Sequence, residues 1–175
     1  AVAQLRIVLE FLAEPTDVRK LKQVYWALMP PDQRAEVQED PDLRQTLTKA
    51  FQRLHNVEDF LWPASPEDVL NDLPVGDRYE WLLGAFAGFR RLVQRWLEAT
   101  VLPVDQLVLT IGGDLFDEPV DVALTYKVAV LLRGLAQSHP DWRLPEFAEE
   151  LGVISANQRK FIGFDDAEVG YEPKP

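Results

Sequence analysis

The stretch DRYEWLLGAFAGFRRLVQRWLEAT, residues 77–100, is the longest regularly patterned segment of the sequence. Its apolar residues recur at intervals of three and four, the spacing that places side chains on one face of an α-helix. The pattern therefore predicts a long amphipathic helix from Asp77 to Thr100. The apolar face of that helix consists of Leu82, Phe86, Phe89, Val93, Trp96 and Leu97.

Three segments before this helix show the same spacing, at residues 5–12, 18–28 and 43–54. The first two segments are separated by Pro15, and the second and third by Pro30 and Pro31, because proline disfavours helical geometry in the residue before it. A short further helix is expected after Asp32.

The segment from residue 56 to residue 76 is interpreted as a connection, because Pro63, Pro66 and Pro74 interrupt it. One turn of helix is expected inside it, at residues 67–71. This segment is the best candidate for an internal boundary.

Three helices are expected after residue 100. Residues 104–115 fit a strand because of their Val and Ile content, but they also fit a helical face, and we favour the helix. The next helix covers residues 119–138, with Pro119 in its first turn, and the last runs through residues 144–161. The acidic tail, residues 162–175, is expected to be extended.

These patterns together predict an all-α, irregular multi-helix domain of roughly six to eight helices. A length of 175 residues suits one domain, so residues 1–175 are expected to form a single unit. The sequence begins at Ala1 and its only methionine is Met29, which indicates a piece of a longer protein.

Composition narrows the classes of function and location. With 18 basic and 29 acidic residues the formal net charge is −11, which disfavours a surface that neutralises many DNA phosphates. The absence of cysteine excludes disulfides, thiolate metal sites and a cysteine nucleophile, and it agrees with the cytoplasmic location we expect. No apolar run approaches the about 18 residues of a membrane span, so no membrane partner is expected.

A search for catalytic motifs is negative. The sequence contains no phosphate-binding GxxxxGK[ST] loop, no HExxH, no GxSxG and no GxGxxG, and its two histidines lie far apart. We therefore expect no catalytic residue, no metal site and no cofactor in this chain.

The run FRRLVQRW in the long helix is the first candidate for nucleic-acid contact. Arg90, Arg91 and Arg95 share its outer surface near Trp96, an arrangement that suits phosphate contact beside a stacking aromatic ring. The alternative is the ordinary charged face of an amphipathic helix, with Glu98 within helical reach of Arg91 and Arg95.

Two further candidates follow the long helix. Thr110, Gly112 and Gly113 could allow a phosphate to approach the backbone closely, or could instead mark a kink or loop. Arg159 and Lys160 form a small basic patch, whose alternative role is a favourable interaction with the dipole at a helix C-terminus.

A family resemblance is carried mainly by residues 102–171, which contain DQL, DLF, LLRGL, HPDWRLPE and FIGFDD. This region resembles the UvrD/PcrA/Rep-type superfamily 1 DNA helicases, in which similar motifs lie just before a motif that reads TMHKAKGLEW. The opening LRIVLEFLAEPTDVRKLKQVYWAL, residues 5–28, is similar to the helix pair that leads into the family's inserted 2B subdomain. The middle of the chain matches by position and helical character alone.

The resemblance implies that the chain is this inserted 2B region. Residues 1–29 and 144–161 would then be flanking helices of the 2A motor domain. The family's ATP- and Mg²⁺-binding residues belong to other domains, so the parent helicase would bind ATP and Mg²⁺ and this chain would not. One departure is that Met29-Pro30-Pro31-Asp32 stands where better-known members carry a Gly-Ile-Gly loop that contacts duplex DNA.

Two functions follow from the sequence. The favoured one is an accessory or regulatory subdomain of an ATP-dependent DNA helicase in replication or repair, with DNA and the other domains of the same chain as partners. The alternative is an acidic helical module that recruits protein partners.

Overall fold

The computed structural model describes residues 1–64 and 79–168, and it describes side chains as far as residue 157. Within these residues the protein is all-α, as predicted, with nine helices and no strand. None of the described helices is both long and apolar enough to cross a membrane. The helices are α1 (Val2–Ala13), α2 (Val18–Leu28), α3 (Pro31–Glu39), α4 (Pro41–Arg53), α5 (Val57–Leu61), α6 (Glu80–Ala99), α7 (Val104–Leu115), α8 (Pro119–Ser138) and α9 (Leu144–Glu168).

The short helix α5 lies where the sequence predicts only a connection. The Asn56 side chain caps it, accepting a hydrogen bond of 2.7 Å from the backbone N–H of Asp59. Val57, Phe60 and Leu61 are buried, so tertiary packing stabilises a helix too short to show a periodic pattern. The helical turn expected at residues 67–71 lies outside the described residues.

Residues 104–115 and the beginning of the acidic tail are both helical. Residues 104–115 form α7, which confirms the favoured interpretation. The extended tail predicted from residue 162 is wrong for residues 162–168, because α9 continues to Glu168. A single Gly163 costs a helix only about 1 kcal/mol, and the Ala and Glu residues at its end are good helix formers. Residues 169–175 are outside the described part.

An aromatic cluster joins α2, α4 and α6. The ring of Tyr25 stacks on Phe86 with 4.8 Å between centroids, and it meets Phe51 and Phe89 edge-on at 5.2 Å each. Such ring pairs add about 0.5–1.5 kcal/mol each beyond the burial of their area. The cluster fixes the apolar face of α6 and leaves its polar face outward.

The remaining packing ties the beginning of the chain to its end. Helix α1 packs against α2 and α9, and α7 packs against α8. The Arg6 side chain of α1 lies next to Gly152 of α9, with its Nε 3.6 Å from the position that a Cβ there would take. The first and last helices therefore lie side by side.

Candidate nucleic-acid interface

Helix α6 places the three arginines of the first candidate in three different environments. Arg91 is exposed and forms no ion pair with another residue of the described ranges. Arg90 is half-buried, and its guanidinium lies 5.0 Å from the centre of the Phe60 ring, a cation–π contact to α5. Arg95 is bound by a carboxylate of α7.

Asp114 is that carboxylate, and it serves two residues of α6. Its Oδ1 lies 3.0 Å from Nη1 of Arg95, while its Oδ2 accepts a hydrogen bond of 3.0 Å from the indole Nε1–H of Trp96. The Asp114 side chain is only 12% exposed and Trp96 is fully buried, whereas the Arg95 side chain is 63% exposed, so the hydrogen bond to Trp96 is the better shielded of the two interactions. The ionic partner of Arg95 is thus Asp114, in contrast to the Glu98 considered from helical spacing.

Trp96 does not have the stacking role considered for it. Its side chain is fully buried and belongs to the core between α6 and α7. Burial of a large apolar ring with its N–H paired is the ordinary use of a core tryptophan. Of the α6 candidates, Arg91 keeps the environment expected of a free phosphate contact.

The glycine pair is not a phosphate-binding loop. Gly112 and Gly113 lie inside α7, where helical hydrogen bonds occupy the backbone N–H groups. A Cβ at Gly112 would lie 2.2 Å from Cγ2 of Thr125, so this glycine allows α7 and α8 to approach closely. Thr110 is equally local, since its hydroxyl donates to the carbonyl of Gln106 at 2.9 Å. The structure thus places these three residues in a helix and not in a loop, and the phosphate contact considered for them stays a prediction.

Arg159 and Lys160 lie within the backbone of α9. Their side chains are outside the described part of the structure. The proposal of a basic patch at this position therefore stays a prediction.

A surface that the sequence analysis missed lies on α2. Its outer face carries Arg19, Lys22, Gln23 and Trp26: Lys22 and Gln23 lie three and four residues after Arg19, and Trp26 lies four and three residues after them. We call these four residues the α2 face. No acidic residue occurs in α2, which is unusual in a chain with a net charge of −11.

A groove of about 650 Å³ between α1, α2 and α3 adjoins this face, with Gln23 and Trp26 in its wall. Arg6 of α1 and Arg34 of α3 contribute positive charge to the same groove, and Glu10 contributes a negative one. The Trp26 side chain is 37% exposed, and its ring is supported from behind by Tyr25 and Phe51. The groove thus combines cations with an accessible, supported aromatic ring.

The cations around the α2 face are held in different ways. Arg6 pairs with Glu10 at 2.7 Å, and Arg19 pairs with Asp17 at 3.4 Å. Arg34 donates instead to the carbonyl oxygens of Trp26 at 2.9 Å and Met29 at 3.3 Å, which are left unsatisfied at the end of α2.

Asp17 and Lys22 complete the electrostatics of this face. Burial opposes ionisation of the Asp17 carboxyl, but its hydrogen bonds with the Arg19 side chain and with the N–H groups of Arg19 and Lys20 outweigh that, so its pKa is lowered. The Asp17 carboxylate is thereby committed to capping α2. Lys22 has no carboxylate partner in the described ranges.

The sequence does contain a signal for the α2 face. The segment VRKLKQVYWAL holds three cations, no acid and a tryptophan at helical spacing from Lys22 and Gln23. Nothing in the sequence predicts that Arg6 and Arg34 lie beside it, because that depends on how three helices pack.

No metal site emerges from the geometry of the described residues, in which His, Asp and Glu side chains form no group of three that could hold an ion. Comparison of the chain with protein-family models, with curated proteins and with solved structures finds no match.

Proposed function

We propose that this chain is an accessory subdomain of an ATP-dependent DNA helicase and that it performs no catalysis of its own. The resemblance of residues 102–171 to the UvrD/PcrA/Rep-type helicases supports the assignment. ATP and Mg²⁺ would be bound by other domains of the parent protein. The site of action would be DNA undergoing replication or repair in the cytoplasm.

The observation that carries the DNA contact is the α2 face with its groove. Phosphates attract Lys and Arg, and unpaired bases stack on exposed aromatic rings with about 1–3 kcal/mol per base. Lys22 and Trp26 lie one helical turn apart on this face, so a phosphate and its neighbouring base can be contacted together. Arg91 on α6 adds a separate exposed cation.

The contact between α1 and α9 supports an inserted position in the parent chain. A subdomain inserted into another domain must receive the chain and return it at nearly the same place. The pairing of the first and last helices meets that requirement.

Binding of the isolated chain to labelled forked, duplex and single-stranded DNA tests this proposal. Fluorescence anisotropy should show affinity for the forked or single-stranded probe that falls steeply with salt, because phosphate contacts release counterions. Absence of binding to all three probes at low salt would contradict the DNA contact. Hydrolysis of ATP by the purified chain would contradict the assignment as an accessory domain.

A module for protein partners is the second candidate function, and one observation favours it. The outward side of α8 carries several exposed apolar residues between positions 120 and 131, namely Val120, Val122, Tyr126, Val130 and Leu131. Such a face is typical of a surface that another protein or domain covers.

A further inference from the structure

Helix α8 presents an unusual surface to water. Six of its outward positions are apolar, and only two outward positions within the helix, Lys127 and Arg133, are charged. A surface helix normally carries charged and polar residues on its outward side. The outward apolar residues are Val120, Val122, Ala123, Tyr126, Val130 and Leu131.

Three of these exposed apolar residues are aligned. Val122, Tyr126 and Val130 follow one another at intervals of four and form a stripe along the helix. Tyr126 is 62% exposed and Val120 is 70% exposed. The inward side of α8, by contrast, is anchored on α7 through residues such as Val128 and Leu132.

The charged residues at this surface are separated by sign along the helix. Two exposed acids, Asp117 and Glu118, stand at the beginning of α8, whereas Lys127 and Arg133 stand in its second half. None of these four residues forms an ion pair with another residue of the described ranges.

We propose that α8 binds α8 of a second copy of this chain in an antiparallel pair. In that arrangement the acids of one copy lie beside Arg133 of the other, whereas a parallel pair would place like charges together. The midpoint between Glu118 and Arg133 falls beside Tyr126, so the two tyrosine rings meet at the twofold axis. The valines on either side are then covered by apolar residues of the partner.

This inference does not depend on the proposed helicase function. One pair of helices makes a small interface, so the affinity is that of a weak and concentration-dependent dimer.

Sedimentation equilibrium over a series of concentrations tests the proposal. The weight-average mass of the wild-type chain should rise from the 20.0 kDa of one copy toward twice that value as the concentration approaches about 0.5 mM. Val130→Asp should keep the mass at that of one copy, because it buries a charge in the interface. Val153→Asp is the matched control on α9, where a valine of similar exposure is replaced, and it should dimerise like the wild type.

Exchanging the charges of Glu118 and Arg133 tests whether the partner that binds α8 is a second copy of this chain. Arg133→Glu and Glu118→Arg should each weaken the dimer about three- to tenfold, and the two substitutions combined in one chain should restore it. Circular dichroism checks that every variant is folded. A wild-type chain that keeps the mass of one copy throughout, or a double variant that fails to restore the dimer, would overturn the proposal.

Discussion

Asp114, which directly follows the glycine pair in the sequence, serves the packing of two helices. Its carboxylate joins the cation of Arg95 to the indole N–H of Trp96, and so it holds α7 against α6. Removing the carboxylate leaves the buried Trp96 N–H without its acceptor. A buried donor without a partner is destabilising, because its lost hydration is not replaced.

Asp114→Ala should therefore lower the free energy of unfolding by about 1–3 kcal/mol. Urea denaturation followed by circular dichroism measures the change. Asp117→Ala, which removes an exposed carboxylate close by, serves as the control and should change stability by less than about 0.5 kcal/mol. Equal effects of the two substitutions would show that Asp114 does not have this bridging role.

Tyr25 makes stability depend on alkaline pH. Burial in the aromatic cluster raises the pKa of its phenol far above the usual value of about 10. The folded state therefore favours the protonated form, and this contribution is complete below about pH 10 and is lost as the pH rises toward the folded pKa.

Wild-type protein should lose stability above about pH 10 with a slope that approaches 1.4 kcal/mol per pH unit from this residue. Tyr25→Phe cannot ionise there and keeps the aromatic packing, so its stability should fall less over the same range. Urea denaturation of both proteins at several pH values provides the comparison. Parallel stability curves for the two would mean that Tyr25 ionises in the folded state as easily as in water.

At the scale of the elements, one glycine determines how closely α7 and α8 approach each other. Gly112 lets Thr125 approach its backbone, whereas a Cβ at the adjacent Gly113 would meet nothing within 4 Å. A side chain larger than that of glycine is therefore excluded at Gly112 but can be accommodated at Gly113.

Gly112→Ala should destabilise the protein by about 1–3 kcal/mol, because the new methyl group overpacks the α7–α8 contact. Gly113→Ala should instead stabilise it by about 0.5–1 kcal/mol, since alanine favours the helix and nothing is displaced. Thermal unfolding followed by circular dichroism distinguishes the two signs.

Thr125→Ser removes the methyl group nearest to Gly112 and provides the rescue variant. It should restore part of the stability lost in Gly112→Ala. If both glycine substitutions destabilise the protein, α7 is sensitive to any substitution, and the close approach of Thr125 to Gly112 does not explain the effect.

The helices that could be predicted from sequence are those with a long apolar face. The regular spacing from Leu82 to Trp96 predicted α6, and Pro119 marked the beginning of α8. Helix α5 could not be predicted, because five residues contain too little periodicity and its stability depends on packing against α6.

The candidate site was less predictable than the fold. Residue types identified Arg90, Arg91 and Arg95 as one patch, but the environments of Arg90 and Arg95 depend on Phe60 and Asp114, which come from other helices. Local sequence cannot show such partners. The α2 face could have been found, because its spacing and its lack of acids are visible in the sequence.

At the scale of the whole molecule, the positive α2 face stands out against the acidic net charge of the chain. An acidic protein repels the DNA backbone over most of its surface, so the DNA contact that we propose would be confined to this local basic face. The α8 surface lies on a different helix, so the proposed DNA binding and the proposed association of two copies can be tested by separate substitutions.

The most direct test of the account is the effect of the α2 face on DNA binding. Fluorescence anisotropy with a forked probe should be compared among the wild type, Arg19→Gln/Lys22→Gln and the charge-matched control Lys49→Gln/Arg143→Gln, whose cations are exposed on α4 and beside α9. The account predicts that the first pair weakens binding about tenfold or more and flattens its salt dependence by about two counterions, while the control pair has a much smaller effect. Equal losses in both pairs, or binding unchanged by the first, would contradict a DNA contact at the α2 face.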